Sequence, residues 1–329
     1  MSLLPRKLRA YLSEVRAEVD AAPRWEPLPG HFVGQTADDL GLYYWFDASE
    51  TRHDVTPQEH ALLGSPWQPA ETYGVRDHPV AIAQDGLRMY NRYRSTRDAR
   101  FLGRARAAAD CLLGLQQADG SWRYSFEFID LAPGWASAMA QGQVATLLLR
   151  IYHETRDDTY VLAAERALAF AMRPIAEGGT LGAFADGRPF LEEYPDSEVS
   201  PYTLNGSIFA LWGLRDYALV SGEERYARWF EELSAAIVDH LAEWDTGDWT
   251  RYSLRVGGDH LATLAYQRVH IMQARVMAEL TCDGRWEAAA KRWNAYYVAG
   301  TVRSGWIVWW RDLKHRLRVV WRRNRGGDL

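Results

Sequence analysis

A repeat of about 60 residues limits most strongly what this chain of 329 residues can fold into. Four segments share one outline: an apolar helix, a short polar turn, and an acidic residue followed three positions later by an aromatic residue. The four acidic and aromatic pairs are Asp98/Phe101, Asp157/Tyr160, Glu223/Tyr226 and Asp283/Trp286. Their aromatic members lie 59, 66 and 60 residues apart. Periods of this length are typical of arrays in which each repeat buries its apolar face against its neighbours.

Each repeat has the pattern of two helices joined by a tight turn. Apolar residues recur at the spacing of one helix face on both sides of the turn. The acidic residue suits the positive end of the second helix, and a hydroxyl residue just before it is expected to accept a free N–H group of that helix, at Thr96, Thr155 and Ser221. Four such hairpins predict an all-α fold, an incomplete α/α toroid with an inner and an outer ring of helices.

The linkers between the hairpins differ from the hairpins in composition. Residues 120–135, 179–202 and 244–262 are rich in Gly, Pro and aromatic residues, and they contain short alternating stretches. This composition predicts short β-ribbons in the connecting loops. In a toroid such loops gather at one mouth, and loops on a rigid scaffold are where chemistry tends to lie. The linkers are therefore the predicted location of the functional residues.

The repeats predict the toroid over residues 76–300, and the flanking segments have patterns of their own. Residues 1–22 predict an amphipathic helix, and residues 23–75 predict a loop-rich segment with a strand-like run at 42–46. Residues 301–329 predict a basic, tryptophan-rich helix with arginine on its other faces. Two interpretations of this C-terminal helix carry equal weight: a helix at a membrane surface, or a helix docked on the rest of the protein.

The formal net charge of −5 is unevenly distributed. Residues 303–329 hold eight Lys/Arg and two Asp, whereas the rest of the chain holds 30 basic and 41 acidic groups. An acidic body argues against nucleic acid as a partner, because nucleic acid requires a broad positive face. The sequence has no signal-peptide core, and no run approaches the roughly 18 apolar residues that span a bilayer. We therefore expect a cytoplasmic protein, at the inner face of the membrane if the C-terminal helix binds lipid.

Motifs for metals and nucleotide cofactors are absent from the sequence. It contains no HExxH, no EF-hand loop, no Cys/His quartet, no GxGxxG after a strand, no GxxxxGK[ST] and no GxSxG. We therefore expect neither a metal nor a cofactor. The chain holds 15 Trp and 17 Tyr. Flat aromatic rings often line carbohydrate sites, although they also supply the largest buried areas in ordinary cores.

Polar and aromatic residues gather at three places in the linkers. The first cluster joins residues 192–195 to residues 201–206, the second is at 252–255 and the third at 266–270. Each cluster taken alone has an ordinary structural explanation. Adjacent glutamates usually form a solvated edge, tyrosines usually fill cores, and a histidine usually caps a helix or fills space. The residues by themselves therefore leave the chemistry open.

Several stretches in and around these clusters form a specific combination: PVAIAQDGL (79–87), PGWASAMAQGQ (133–143), EEYP (192–195) with LNG (204–206), DTG (245–247) with YSLR (252–255), and AYQRVHIMQ (265–273). In them the sequence resembles the C-terminal catalytic domain of the D-glucuronyl C5-epimerases, which convert D-glucuronate to L-iduronate within heparan precursors. The resemblance runs from about Tyr73 to Trp293. The family's catalytic domain is an α/α toroid, which agrees with the repeats.

The resemblance implies roles for ten residues. The family's proposed proton-transfer groups match Glu193, Tyr194, Tyr252 and Tyr266. Its arginine that contacts the substrate carboxylate matches Arg255. Further substrate contacts are expected at His270, Asn205, Trp135, Gln141 and Gln84. The resemblance also implies a homodimer and a uronate-containing partner, either a polysaccharide such as heparosan or a lipid-linked oligosaccharide.

Epimerisation at C5 explains why such residues are needed. Inversion takes the C5 proton from one face of the sugar and returns a proton to the other face. It therefore needs two acid/base groups on opposite faces, such as Glu193 or Tyr194 against Tyr266. Arg255 on the carboxylate would spread the charge of the carbanion. Two alternatives stay open: a polysaccharide lyase or hydrolase acting on a uronate-containing glycan, and a non-catalytic glycan-binding protein.

Overall fold

The protein is described here by a computed structural model, which covers residues 33–37, 39–41, 78–128, 131–195, 200–254 and 260–303. These residues are mostly helical and form four helical hairpins in succession. The helices are α1 Pro79–Thr96, α2 Ala99–Leu115, α3 Ala138–Thr155, α4 Asp158–Ala171, α5 Leu204–Ser221, α6 Glu224–Asp239, α7 Leu264–Thr281 and α8 Gly284–Arg303. The predicted all-α class and the four predicted hairpins are confirmed.

Short strands occupy the linkers between the helices and one segment before them. They are β1 Val33–Thr36, β2 Asp39–Gly41, β3 Leu181–Ala183 and β4 Pro189–Leu191. β1 pairs with β2, and β3 pairs with β4, both antiparallel. The linker before α3 contains a bridge between Arg123 and Ala136, and the linker before α7 contains one between Arg251 and Leu261. The predicted β-ribbons in the linkers are confirmed.

One three-residue junction connects the two helices of every hairpin. A hydroxyl residue ends the first helix, a residue in the left-handed backbone region follows, and an acidic residue precedes the second helix. The left-handed residues are Arg97 at φ 58°, Arg156 at 57°, Gly222 at 70° and Cys282 at 54°. Three of these four are not glycine, which is uncommon in this region of backbone space. The fixed sequence of the turn therefore sets the sharp reversal that makes each hairpin.

The acidic residue of the junction precedes the second helix, and its side chain accepts a helical N–H at Asp98, Asp157 and Asp283 but not at Glu223. The Asp98 carboxylate accepts the backbone N–H of Arg100 at 2.9 Å. The Thr96 hydroxyl instead accepts the N–H of Asp98, which still precedes the helix, at 3.3 Å. The expectation that the hydroxyl would accept a helical N–H is wrong by one residue, because the acid already lies at the capping position.

The first helices of the hairpins are more buried than the second helices in the part of the chain before Leu241. α3 packs against α1, α4 and α5. Its residues are buried around most of its circumference, as are those of α5, whereas α2, α4 and α6 bury one face. Gly142 of α3 and Gly213 of α5 allow the two backbones to meet, because a Cβ on Gly213 would lie only 2.6 Å from the carbonyl oxygen of Gly142.

A buried ion pair joins α3 to α5. The Arg150 guanidinium lies 2.7 Å from the Asp216 carboxylate, and both side chains are fully buried. Arg150 also donates to the carbonyl oxygens of Leu40 at 3.3 Å and Gly41 at 3.2 Å. The guanidinium therefore holds the β1–β2 hairpin against the helices.

The described chain divides into two compact units at Leu241. The first contains α1 to α6 with both β-hairpins, and the second contains α7, α8 and the loop that leads to them. The N-terminal helix predicted at 1–22, the strand-like run at 42–46 and the C-terminal segment beyond Arg303 lie outside the described residues, so the predicted domain limits stay predictions. No helix in the described part of the chain is both long enough and apolar enough to cross a membrane.

Candidate active site

Two adjacent glutamates lie buried immediately after β4. Glu192 is held by its backbone: its N–H donates to the Thr180 carbonyl at 2.9 Å, and its carbonyl accepts the N–H of Ala138 at 3.0 Å. Its side chain is 0% exposed and that of Glu193 is 6% exposed. Burial raises the pKa of Glu192 to about 8, and the charge of Glu193 adds to this shift. Glu192 is therefore predominantly a neutral acid at pH 7.

The Glu193 side chain lies against the first turn of α5. A Cβ on Gly206 would overlap the carboxylate and the Cβ of Glu193, so glycine is the residue that leaves room for this side chain. Asn205, one residue earlier in the same turn, is 1% exposed. The free N–H groups at a helix N-terminus favour a negative charge. The EEYP and LNG motifs are thereby brought into contact.

Four aromatic rings continue from Glu193 and form a wall. Tyr194 stacks on Phe128 with ring centroids 5.2 Å apart and lies 5.9 Å from Trp135. Trp135 stacks on Tyr124 at 4.0 Å with an interplanar angle of 12°. Its indole N–H donates to the Phe126 carbonyl at 3.0 Å, which fixes the plane of the ring. We call Glu192, Glu193, Tyr194, Tyr124, Phe128 and Trp135 the carboxylate cluster.

The two glutamines among the predicted contacts are engaged with other parts of the protein. Gln141 is fully buried; its oxygen accepts the N–H of Trp122 at 3.0 Å, and its amide nitrogen donates to the carbonyl oxygens of Trp122 and Ser137. Gln84 donates to the Gln143 side chain at 3.3 Å and so joins α1 to α3. Gln141 therefore fixes the linker before α3, and Gln84 fixes the position of α1 against α3.

The tyrosines predicted from the second and third motifs meet in the second compact unit. The rings of Tyr252 and Tyr266 lie edge to face with centroids 4.6 Å apart. His260 approaches Tyr252 at 5.0 Å, and its ring nitrogen Nδ1 lies 2.7 Å from the Ser253 hydroxyl. Both tyrosines are half-buried. We call these four residues the tyrosine cluster.

His270 lies one helical turn beyond Tyr266 and is fully buried. The Thr250 hydroxyl donates to the Gln267 side-chain oxygen at 2.6 Å and lies 2.9 Å from Nδ1 of His270. Because the single proton of Thr250 is used by Gln267, Nδ1 must carry the proton of the imidazole and donate it to Thr250. Burial lowers the pKa of His270 to about 3, so the ring is neutral. Its Nε2 has no hydrogen-bond partner among the described residues.

The structure gathers the predicted site residues into two groups. Glu193, Tyr194, Trp135 and Asn205 lie within or beside the carboxylate cluster, and Tyr252 contacts Tyr266 in the tyrosine cluster. Arg255 lies outside the described residues, so its predicted role stays a prediction. Within the described ranges, no group of three or more His, Cys, Asp or Glu side chains is arranged to hold a metal ion.

The sequence reasoning missed three aromatic residues of the clusters. Tyr124, Phe128 and His260 were not among the predicted site residues, although each contacts one of them. A signal for the first two was present: Tyr124, Phe126 and Phe128 alternate, and alternate residues of an extended chain point to the same side. The signal for His260 was weaker, since a single histidine in a glycine-rich linker has no periodicity.

Comparison with known proteins identifies relatives of this chain. Residues 115–295 match the family model described as the D-glucuronyl C5-epimerase C-terminus. A D-glucuronyl C5-epimerase of Caenorhabditis elegans is 33% identical over 212 residues, which cover 58% of this chain and 34% of that protein. An uncharacterized protein of Methanocaldococcus jannaschii is 28% identical over 177 residues, covering 53% of this chain and 56% of that protein. The chain thus spans between a third and somewhat more than half of these relatives.

Solved structures show the same fold. Cellobiose 2-epimerase from Spirochaeta thermophila matches with a TM-score of 0.52 and 15% identity, covering 92% of this chain and 89% of that one. Cellobiose 2-epimerase from Bacillus thermoamylovorans matches with a TM-score of 0.51 and 14% identity, covering 67% of this chain and 60% of that one. This likeness supports the predicted α/α toroid. Since the family model matches more than half of the chain and includes both clusters, the protein belongs to the D-glucuronyl C5-epimerase family through the C-terminal domain of that family.

Proposed function

We propose that the protein is a uronate C5-epimerase, which converts D-glucuronate to L-iduronate residues within a glycan. The observation that carries the proposal is the family match over residues 115–295, a range that contains both groups to which the resemblance assigns proton transfer, Glu193 with Tyr194 and Tyr252 with Tyr266. Inversion needs one acid/base group on each face of the sugar ring. One group would remove the C5 proton, and the other would return a proton to the opposite face.

Glu193 is the best candidate for a carboxylate base. Glu192 beside it is held neutral, so the two carboxyl groups do not repel each other, and the helix N-terminus at Gly206 favours the charge of Glu193. One neutral and one charged carboxyl group side by side are also found in other enzymes, where the surroundings of each group determine its role. Tyr194, the next residue and the first ring of the aromatic wall, would help to place the sugar.

The tyrosine cluster would supply the second acid/base group. Tyr252 and Tyr266 are in contact and half-buried, so a hydroxyl there can reach both protein and substrate. We assign proton transfer on the second face of the sugar ring to Tyr266, whose ring contacts that of Tyr252. Arg255, three residues after Tyr252 in the sequence, would pair with the substrate carboxylate and lower the cost of the carbanion.

The substrate class follows from this chemistry. A polysaccharide or lipid-linked oligosaccharide that contains glucuronate provides the carboxylate and the C5 hydrogen. Because the chain outside residues 303–329 is acidic, we favour a lightly charged, lipid-linked glycan met at the inner face of the membrane by the helix that the sequence predicts at the C-terminus. A homodimer is part of the same proposal, by analogy with the family.

Isotope exchange tests the proposal directly. The protein is incubated in D₂O with glucuronate polymers and with lipid-linked glucuronate oligosaccharides, and the uronate C5 position is followed by NMR. We expect deuterium at C5 and the appearance of L-iduronate without chain cleavage. An unsaturated product that absorbs near 232 nm would instead identify a lyase, and binding without exchange would identify a glycan-binding protein. Either of these results would contradict the proposal.

Matched variants then assign the two faces. Glu193→Gln preserves the size of the buried side chain and should lower exchange by roughly 10²-fold or more, because a positioned acid/base contributes about 10²–10⁴ in rate. Tyr266→Phe should do the same for the second face. Glu177→Gln, at an exposed glutamate before β3, serves as the control and should exchange as the unmodified protein does.

A further inference from the structure

The linkers before α3 and α7 are built alike, although they belong to different compact units. Residues 122–125 and 250–253 both contain the sequence Arg-Tyr-Ser after one variable residue. In each linker the variable residue donates its backbone N–H to a glutamine at the fourth position of the following helix. The acceptor is Gln141 at 3.0 Å in the first case and Gln267 at 3.1 Å in the second. The two linkers are therefore structural equivalents.

The equivalence extends to the tyrosine of each linker. The Tyr124 N–H donates to the Trp135 carbonyl at 2.9 Å, and the Tyr252 N–H donates to the His260 carbonyl at 2.7 Å. In both linkers the ring of the carbonyl residue then contacts the ring of that tyrosine. Tyr124 thus occupies in the first unit the position that Tyr252 occupies in the second.

The hydroxyl of Tyr124 has properties that packing does not require. Tyr124 is 3% exposed, and no hydrogen-bond partner for its hydroxyl lies among the described residues. Other buried tyrosines of the same unit are paired, as Tyr90 is with Glu154 at 3.0 Å. The Tyr124 hydroxyl is also within the electrostatic influence of Glu193. A hydroxyl that keeps some accessible area, has no partner among the described residues and lies beside the proposed base is a donor that a ligand atom can accept from.

We propose that Tyr124 is a further substrate-binding residue, which donates its hydroxyl proton to a hydroxyl oxygen of the sugar held at Trp135 and Glu193. This inference rests on the proposed function. A sugar hydroxyl is the expected acceptor, because the negative charge of Glu193 disfavours a substrate carboxylate at the same place. Tyr124 donates this hydrogen bond and takes no part in proton transfer at C5.

The environment of Tyr124 supports a donor that does not titrate. Burial and, to a smaller extent, the charge of Glu193 raise the pKa of Tyr124 above its ordinary value. The hydroxyl therefore keeps its proton at every pH at which the reaction would be measured. The stack on Trp135, with a centroid distance of 4.0 Å, holds the ring in place without help from the hydroxyl.

The test uses Tyr124→Phe, which removes the hydroxyl and keeps the stacked ring. Binding of glucuronate oligosaccharides is measured by calorimetry, and C5 exchange is measured over a range of pH. We expect binding to weaken about 3- to 10-fold, with kcat and the shape of the pH profile unchanged. Tyr160→Phe is the control, because its hydroxyl is paired with Asp110 away from the carboxylate cluster; it should bind as the unmodified protein does.

Oligosaccharides that lack single ring hydroxyls identify the acceptor atom. One deoxy analogue should bind the unmodified protein more weakly than the complete oligosaccharide does. Tyr124→Phe should bind this analogue and the complete oligosaccharide equally well, because the hydrogen bond is already absent in that variant. Unchanged binding by Tyr124→Phe, with exchange intact in the unmodified protein, would overturn this inference alone. An altered pH profile would make Tyr124 a proton carrier and also overturn it. Absence of both binding and exchange in the unmodified protein would overturn the proposed function and this inference together.

Discussion

The Glu193 carboxylate lies directly on Gly206, at the third residue of α5. This contact connects the second linker to the start of a buried helix and places a charge where helical N–H groups are free. A methyl group at Gly206 would occupy the space of the carboxylate, so the contact constrains both residues.

We therefore predict that Gly206→Ala displaces Glu193 and lowers C5 exchange by about 10²-fold or more, since the proposed acid/base group would lose its position. The measurement is deuterium incorporation at C5 together with thermal unfolding. Gly103→Ala is the matched control, because no atom lies within 4 Å of a Cβ at that exposed position of α2. It should leave exchange unchanged and stabilise the helix slightly. Equal exchange rates in the two variants would contradict the assignment of Glu193.

The neutral acid Glu192 predicts how stability depends on pH. Its pKa is about 8 in the folded protein and near 4.5 when unperturbed. Between these values the unfolded chain loses the proton first, so the folded state binds more protons and the free energy of unfolding falls as pH rises. Glu192→Gln removes the titrating group and should therefore remove the part of this decrease in the free energy of unfolding that is due to Glu192.

Chemical denaturation at several pH values checks this expectation. The free energy of unfolding of Glu192→Gln, relative to that of the unmodified protein, should increase from pH 4.5 to pH 8 and then level off. The increase should be about 1.4 kcal/mol for each unit by which the pKa of Glu192 differs between the folded and the unfolded protein. The free energy of unfolding of Glu177→Gln, a surface variant, should change with pH in the same way as that of the unmodified protein. If that of Glu192→Gln also changes in the same way, Glu192 is ionised in the folded state and the proposed division of the carboxyl pair is wrong.

The repeat pattern predicted the fold better than it predicted the site. Four acid and aromatic pairs located the four hairpin junctions, because helix periodicity and capping are local properties of the sequence. The EEYP and LNG motifs lie about ten residues apart, and their contact depends on a glycine that only packing explains. Tyr124 was missed because it resembles an ordinary core aromatic, and its unpaired hydroxyl becomes visible only when its neighbours are placed.

A neutral imidazole is expected at His270 over the whole working range of pH. Its pKa of about 3 lies below the ordinary value near 6.5, so NMR of the ring nitrogens should show no titration between pH 5 and 8 and should show the proton on Nδ1. In that state Nε2 offers a lone pair. Below pH 6.5 this histidine binds a proton in the unfolded chain but not in the folded protein. It therefore lowers the free energy of unfolding as the pH falls toward 3.

Thr250 is the residue that selects this tautomer. Thr250→Val keeps the shape of the side chain and removes the acceptor of the Nδ1 proton, so we expect a mixture of tautomers or a shift of the proton to Nε2. Thr250→Ser retains the hydroxyl and should preserve the nitrogen spectrum. A Thr250→Val spectrum identical to that of the unmodified protein would show that another group fixes the ring.

The ion pair between Arg150 and Asp216 predicts a large effect on stability. Asp216→Asn leaves a buried guanidinium without its counter-charge and should lower the free energy of unfolding by about 3–5 kcal/mol. Because Arg150 also donates to Leu40 and Gly41, hydrogen exchange of the β1–β2 hairpin should quicken in the same variant. Glu165→Gln is the comparison: Glu165 pairs with Arg225 at 3.0 Å on the surface, where such pairs contribute about 1 kcal/mol or less. Equal stability of the two variants would mean that the buried pair is already solvated, and the hairpin would then be held by packing alone.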